Sequence, residues 1–445
     1  MRSAEVESIA IFETLDVEDT TETKRGTSKA WMILGCAWLF YLYEYILRVS
    51  PSVMTNELML DYGVTSTALG VLVSFYYFAY VPLQIPCGII VDRFGPRKVI
   101  TFSALLCVLG SVYFAQSDTL LTAQIGRFLM GAGSACAYLS CAKIGAEWFH
   151  SSKFAGIAGM TMMMGTLGGI FGGSPFAILV NAFGWRPSMI IAAIVGIFIT
   201  AIAWIVIRDY PTESKGQKEG VQSAESAPLL EGLKLVASNS QNWLIGLYGC
   251  MMYLPLSAFA ELWGVPFLME RYGINNELAS RTSLMVFLGM ALGTLLGPWL
   301  SNRYESRVKV MSWSALGTFV TFLAVFYVPV PLTFMFLLLF IGGMISGGQI
   351  LYFAAAKESN PDHISGTTIG FTNGLVMASG VIFQPLLGRL LDLAWDGKLS
   401  ADGARVYDLA TYQIAFSAVS VALLLSWVIV QYVRETYNHT QIVSE

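Results

Sequence analysis

Long stretches without a single Asp, Glu, Lys or Arg dominate this chain. Residues 62–91, 99–117, 154–185, 187–207, 235–260, 282–302, 364–388 and 409–433 are free of formal charge, and a further run, 310–356, extends over 47 residues. A bilayer crossing needs about 20 apolar residues, and in hydrocarbon the backbone must satisfy its own polar groups, so each run reads as a transmembrane helix. The 47-residue run is broken by Pro329 and Pro331 and reads as two helices and a turn. Two more spans carry charge within them: 30–54, with Glu44 and Arg48, and 120–142, with Arg127. The expectation is an all-α membrane protein of twelve spans. Composition agrees, with 55% hydrophobic and only 13% charged residues against about a quarter charged in soluble chains. A net charge of −4 leaves no basic excess to neutralise a phosphate backbone, which excludes nucleic-acid binding as the main activity.

Placing both termini in the cytoplasm puts 18 of the 26 Lys and Arg on that side and five outside, namely Arg186, Arg271, Arg281, Lys398 and Arg405; the bias obeys the positive-inside rule. Residues 1–29 are polar and charged without an apolar stretch, which predicts a disordered cytoplasmic tail rather than a signal peptide. Residues 208–241 are rich in Glu, Lys, Ser, Gly and Gln and predict a soluble linker between an N-terminal six-helix bundle (30–207) and a C-terminal one (242–433), with 434–445 as a second tail. No phosphate-cradling G-x-x-x-x-G-K-[ST] occurs, so uphill movement of a solute would need an ion gradient. Six cysteines fall in predicted spans and read as small apolar packing residues, and His150, His363 and His439 are too far apart in sequence to suggest a metal site. Neither a cofactor nor a metal is expected. No nucleophile paired with a base is visible, so an enzyme is not expected either.

The halves repeat weakly. Counting 17 residues on from Trp31 reaches Arg48, and 18 on from Trp243 reaches Glu261, which places two ionisable groups at similar depth. GIIVDRFGPRK at 88–98 and LSNRYESRVK at 300–309 follow the second span of each half. The residues Gly88, Asp92, Arg93, Gly95, Arg97 and Lys98 match the G-x-x-x-D-R-x-G-x-R-K signature of the major facilitator superfamily, which the chain resembles over about residues 30–433. The resemblance implies two pseudo-symmetric six-helix bundles around one central cavity. It also implies a latch, stabilising one of two gate states, in which the acid ending span two pairs with a helix start and a base across the bundle interface. Asn302 and Glu305 replace the acid and the glycine in the second copy, so an asymmetric latch is expected. Arg127, in GRFLMG, matches the arginine that the family places in span four and associates with proton coupling. The glycines of GTLGGIFGGSP in span five do not meet the family's antiporter signature and read as close helix contacts.

An ionised group inside a span costs about 2.5–3.5 kcal/mol even on lenient scales, so Glu44, Arg48, Arg127 and Glu261 need a reason to be there. Glu44 and Arg48 stand four apart on one helical face and either neutralise each other or face the cavity. The family's central helices include spans one, four and seven, which would gather all four residues. Arg48 or Arg127 could then bind a substrate carboxylate in bidentate fashion, while Glu44 or Glu261 carries the proton and can also face a substrate cation; Glu261 could equally be an interhelical partner of Arg48. Tyr41 and Tyr77 supply hydroxyls and rings, and Gln349 and Asn373 supply uncharged polar contacts. Gln384 could orient a ligand or bond between helices. The opening spans look like those of bacterial nutrient importers, similar to the proteobacterial intraphagosomal amino-acid transporter branch and more distantly to organic-anion/proton symporters. The expectation is proton-coupled import of a small charged or zwitterionic solute across the bacterial inner membrane. Siderophore import, export by the same fold and a non-transporting receptor are the alternatives.

Overall fold

A computed structural model describes residues 28–150, 153–210, 229–361, 364–400, 403 and 405–437. The predicted N-terminal tail up to residue 27, positions 211–228 of the predicted linker and 438–445 of the C-terminal tail lie outside the described residues. Among those described, 11 helices are long and apolar enough to cross a membrane.

In the first half, α1 (Ser28–Val49) passes into a 3-10 turn, Ser50–Val53, and the short α2 (Thr55–Tyr62). Pro51 cannot donate a backbone N–H, so the Leu47 carbonyl four residues earlier loses its backbone helical partner and accepts from side chains instead, the Ser50 hydroxyl at 3.1 Å among them; this acceptor matters at the site. Thr65 caps the start of α3 (Ser66–Phe94), and Gly95, at φ +78, turns the chain into α4 (Pro96–Ala115). The predicted fourth span is two helices in tandem, α5 (Leu120–Ser134) and α6 (Ala137–Trp148), and so is not among the 11. At the break Cys136 forms a disulfide with Cys87 of α3, with Cα atoms 5.3 Å apart. This corrects the reading of all six cysteines as packing residues, because a pairing over 49 positions leaves no local sequence signal. The fifth span is α7 (Phe154–Gly172) followed by α8 (Ser174–Phe183), and α9 (Trp185–Val206) completes the half.

In the second half, α10 (Leu229–Ser238) is a helix within the stretch read as linker. There follow α11 (Ser240–Met252), a π-helical turn Pro255–Trp263 and α12 (Gly264–Tyr272). Next come α13 (Asn276–Ser283), α14 (Met285–Arg303), α15 (Arg307–Tyr327) and α16 (Leu332–Ser346). The chain ends with α17 (Leu351–Glu358), α18 (Ser365–Leu393) and α19 (Leu409–Val430). Small residues let the backbones approach, as expected in lipid. A Cβ on Gly289 or Gly293 of α14 would lie 2.0 Å from the Phe340 or Met344 carbonyl of α16, and one on Gly168 of α7 would lie 2.3 Å from the Leu42 carbonyl of α1.

The two bundles meet chiefly along α3 and α18, and the seam is wedge-shaped. At one end a Cβ on Gly388 would come within 2.2 Å of the Ser66 carbonyl, and one on Gly70 within 2.4 Å of the Gln384 carbonyl. Toward the other end the corresponding distances are 3.6 Å at Gly374 and 3.1 Å at Gly370, and around Gly366 nothing lies within 4 Å. The bundles are therefore pressed together at the face away from residues 88–98 and part toward the face that carries that loop, called below the far face and the loop face.

Candidate functional site

The cavity that the wedge leaves has a volume of about 90 Å³ and lies between the bundles. From the N-terminal half it is lined by Tyr41, Tyr45, Arg48, Tyr80, Tyr138, Met162 and Thr166. The C-terminal half contributes Tyr253, Leu256, Phe287, Met290, Thr294, Gln349, Ile350, Tyr352, Phe353, Asn373 and Met377. Arg48 is the single charged side chain among them. Its guanidinium lies 4.1 Å from the Tyr45 ring centroid and 5.0 Å from that of Tyr80. Of the two alternatives left open for Glu44 and Arg48, the pair forms, behind the cavity wall: Arg48 Nη2 lies 3.1 Å from Glu44 Oε2, and Tyr76 donates to the same carboxylate oxygen at 2.7 Å.

The other ionisable residues cluster close by without lining the cavity. Arg127 is 1% exposed. Its Nη1 donates to the Leu47 carbonyl at 2.8 Å, which is the acceptor that Pro51 leaves without a backbone partner, and its guanidinium sits 5.0 Å over the Tyr76 ring. Arg127 thus ties α5 to the end of α1. Glu261 is fully buried in the π-helical turn and accepts hydrogen bonds from Tyr77 and, at 3.5 Å, from Tyr253; its hydrogen-bond partners are tyrosines rather than Arg48. Such wide turns concentrate at functional positions in helices. Two groups of Gln384 hold this one in place: its side-chain amide donates to the Ser257 carbonyl at 2.8 Å, and its own carbonyl accepts from the Trp263 indole at 3.1 Å. Gln384 therefore bonds between helices. Of the polar residues expected at the site, Arg48, Tyr41, Gln349 and Asn373 line the cavity, whereas Glu44, Arg127, Tyr77 and Glu261 stand one layer behind it.

Gln349 is 2% exposed and its Oε1 has no hydrogen-bond partner, which leaves a buried acceptor free for a donor on a solute. Asn373 is engaged. It accepts from Tyr352 at 2.9 Å and donates to Gln84 of α3 at 2.7 Å, and Gln84 in turn donates to the Ala135 carbonyl at 3.0 Å, at the α5–α6 break. This polar chain crosses the seam on the loop-face side of Arg48. Gln84, Tyr138, Tyr253 and Tyr352 were missed because neutral polar residues in apolar helices carry no spacing signal.

At the loop face the signature residues close on their own bundle. Asp92 pairs with Lys143 of α6 at 2.8 Å rather than across the interface, so the expected latch is not engaged in this state. With the bundles parted here, the start of α18 is not what Asp92 meets. Asp209 accepts from the Arg97 backbone N–H at 2.8 Å and lies where a Cβ on Gly95 would sit, 2.6 Å away. The second copy repeats the plan with altered charges. Glu435 accepts from the Arg307 backbone N–H at 2.8 Å, Arg307 pairs with Glu358 at 3.0 Å, and Glu305, standing where the first copy has Gly95, adopts φ 49. The two copies of the loop thus close on different partners within their own halves. For Gly88 a Cβ would meet nothing within 4 Å, and Arg93 and Lys98 are solvent-exposed.

The far face carries a clasp that sequence reading missed. Asp392, at the end of α18, accepts from the backbone N–H of Ser66 and Thr67 (3.2 and 2.8 Å), from the Thr67 hydroxyl (2.5 Å) and from Tyr407 (2.7 Å). It also pairs with Arg405 at 3.2 Å. The free N–H groups at the start of α3 make this a favourable seat for an anion. Asp392→Asn is expected to loosen it: nitroxides at Leu60 and Leu399 should show a larger long-distance population than in the parent protein, and an unchanged distribution would remove the clasp from the gate.

Two bundles joined by a charged seam around one cavity define a membrane transporter fold, and comparison with known proteins specifies it. The Major Facilitator Superfamily model matches residues 33–385; the chain belongs to this superfamily. It is 26% identical over 290 residues to the probable sulfoacetate transporter SauU of Cupriavidus necator, covering 62% of this chain and 66% of the relative, just under two thirds of that protein's length. It is 23% identical over 431 residues to the membrane sensor protein UhpC of Salmonella typhimurium (91% and 93% covered), and 24% identical over 329 residues to the probable galactarate/D-glucarate transporter GarP of Escherichia coli K12 (65% and 71%). Among solved structures, a bacterial homolog of the human lysosomal transporter Spinster, in an inward-facing and occupied conformation, superposes with a TM-score of 0.72 at 16% identity over 92% of this chain and 97% of that one.

Proposed function

We propose that this superfamily member moves a small organic anion into the bacterial cytoplasm across the inner membrane, with protons as the driving ion and the loop face cytoplasmic. The observation that carries this reading is Arg48, the one charged group lining an otherwise neutral, tyrosine-rich cavity. A carboxylate or sulfonate on the solute would sit against its guanidinium between the Tyr45 and Tyr80 rings, and a hydroxyl would satisfy Gln349 Oε1. The similarity to SauU, a probable sulfoacetate transporter, and to GarP, a probable galactarate/D-glucarate transporter, supports this class over amino acids or siderophores.

Uptake by proteoliposomes under an imposed proton gradient tests it, with sulfoacetate, glucarate, an amino acid and an iron-siderophore complex offered in turn. Acid-stimulated accumulation of one of the anions is the expected result, and accumulation of the amino acid alone would overturn the substrate class. Arg48→Lys should raise KM for that anion by about tenfold or more, because a point charge cannot reproduce a planar, charge-assisted fork. An unchanged KM would move the anion site away from Arg48. The similarity to UhpC, a membrane sensor protein, over 91% of this chain favours a second reading, a sensor that binds solute without moving it. Saturable binding with no flux in the same vesicles would select it.

A further inference from the structure

On the outside of the N-terminal bundle, α3, α4 and α5 enclose a second hollow of about 400 Å³, separate from the transport cavity. Leu83, Ile90, Phe94, Phe102 and Ala132 make its walls apolar, and Lys98 stands at its loop-face rim. Phe94 and Phe102 are 51% and 63% exposed, so the hollow opens sideways to the hydrocarbon rather than to the pathway. The nearby carboxylates are already engaged, Asp92 by Lys143 and Asp209 by the Arg97 backbone. Among the described residues neither Lys98 nor Arg93 meets a carboxylate, and Arg93 rests over the Phe94 ring, 5.6 Å from its centroid. An apolar slot beneath unneutralised cations at the membrane surface matches the two parts of an anionic phospholipid. In the second copy of the loop Val308 occupies the position of Lys98 and the lysine stands one position later, at Lys309.

We propose that this groove binds one anionic phospholipid, an acyl chain lying against Leu83, Phe102 and Ala132 and the phosphate held by Lys98 with Arg93. The lipid would then touch the loop joining α3 to α4 and bear on its position.

Native mass spectrometry of the detergent-purified full chain tests this, using phosphatidylglycerol and phosphatidylcholine with identical acyl chains. The parent protein should retain phosphatidylglycerol preferentially. Lys98→Gln should cut that preference about fivefold, as expected for one cation near a charged headgroup, and Lys98→Arg should preserve it. Ala132→Phe, which fills the slot, should lower retention of both lipids. Equal retention of the two lipids by the parent, or a preference that survives Lys98→Gln, would overturn the proposal. Lys98 is exposed, so its variants test the site even if Ala132→Phe fails to fold.

Discussion

Glu261→Gln is expected to abolish accumulation driven by a proton gradient while counterflow exchange of the same solute continues. The side chain is fully buried in the π-helical turn and belongs to the C-terminal bundle, whereas Glu44, Arg48 and Arg127 belong to the N-terminal one. Its hydrogen-bond partners are the hydroxyls of Tyr77 and Tyr253. A carboxylate in such surroundings is costly when ionised, and it can take up or release a proton as the bundles change partners. Glutamine keeps one acceptor oxygen for one tyrosine, its amide N–H can donate to the other hydroxyl, and its volume is nearly the same, so packing persists while the titrating group is lost. Gradient-driven uptake and exchange in the same proteoliposomes separate the two roles. Loss of both activities together would make Glu261 a binding or structural residue.

Gly70→Ala should have the second large effect. The added methyl would come 2.4 Å from the Gln384 carbonyl oxygen and 2.9 Å from the Pro385 Cα, both backbone atoms that cannot swing aside. Overpacking of this kind costs about 1–3 kcal/mol, which shifts a two-state equilibrium by roughly 5- to 150-fold. The cost falls on the state closed at the far face, because only there do α3 and α18 touch so closely. Transport should fall by about tenfold or more, and the Leu60–Leu399 label pair should move toward longer distances. Gly366→Ala, on the open end of the same seam with nothing within 4 Å, is the matched control and should transport normally. Wild-type flux in Gly70→Ala would mean that this contact does not gate.

The architecture was legible because its signals are local. Charge-free runs give the spans, Pro329 and Pro331 divide the longest of them, and residues 88–98 carry the loop signature. Glu44 and Arg48, four apart on one helix, offer a pairing as one of two alternatives, and the pair forms. What escaped depends on tertiary approach. Nothing near Asp392 indicates that it will cap a helix starting at Ser66, more than 300 positions earlier, and nothing near Arg127 indicates that Pro51 will leave it a carbonyl. The break between α5 and α6 has no proline to mark it, and the Asp92 latch depends on which face of the wedge is open, a property of conformation rather than of sequence.

Tyr76 and Tyr77 are adjacent, yet their hydroxyls serve opposite bundles, the first Glu44 and the second Glu261. Losing the charge on either carboxylate weakens one grip without loosening the other. A single peptide link therefore senses the ionisation of both partners, and α3 can act as a comparator, leaning toward whichever acid still holds its tyrosine.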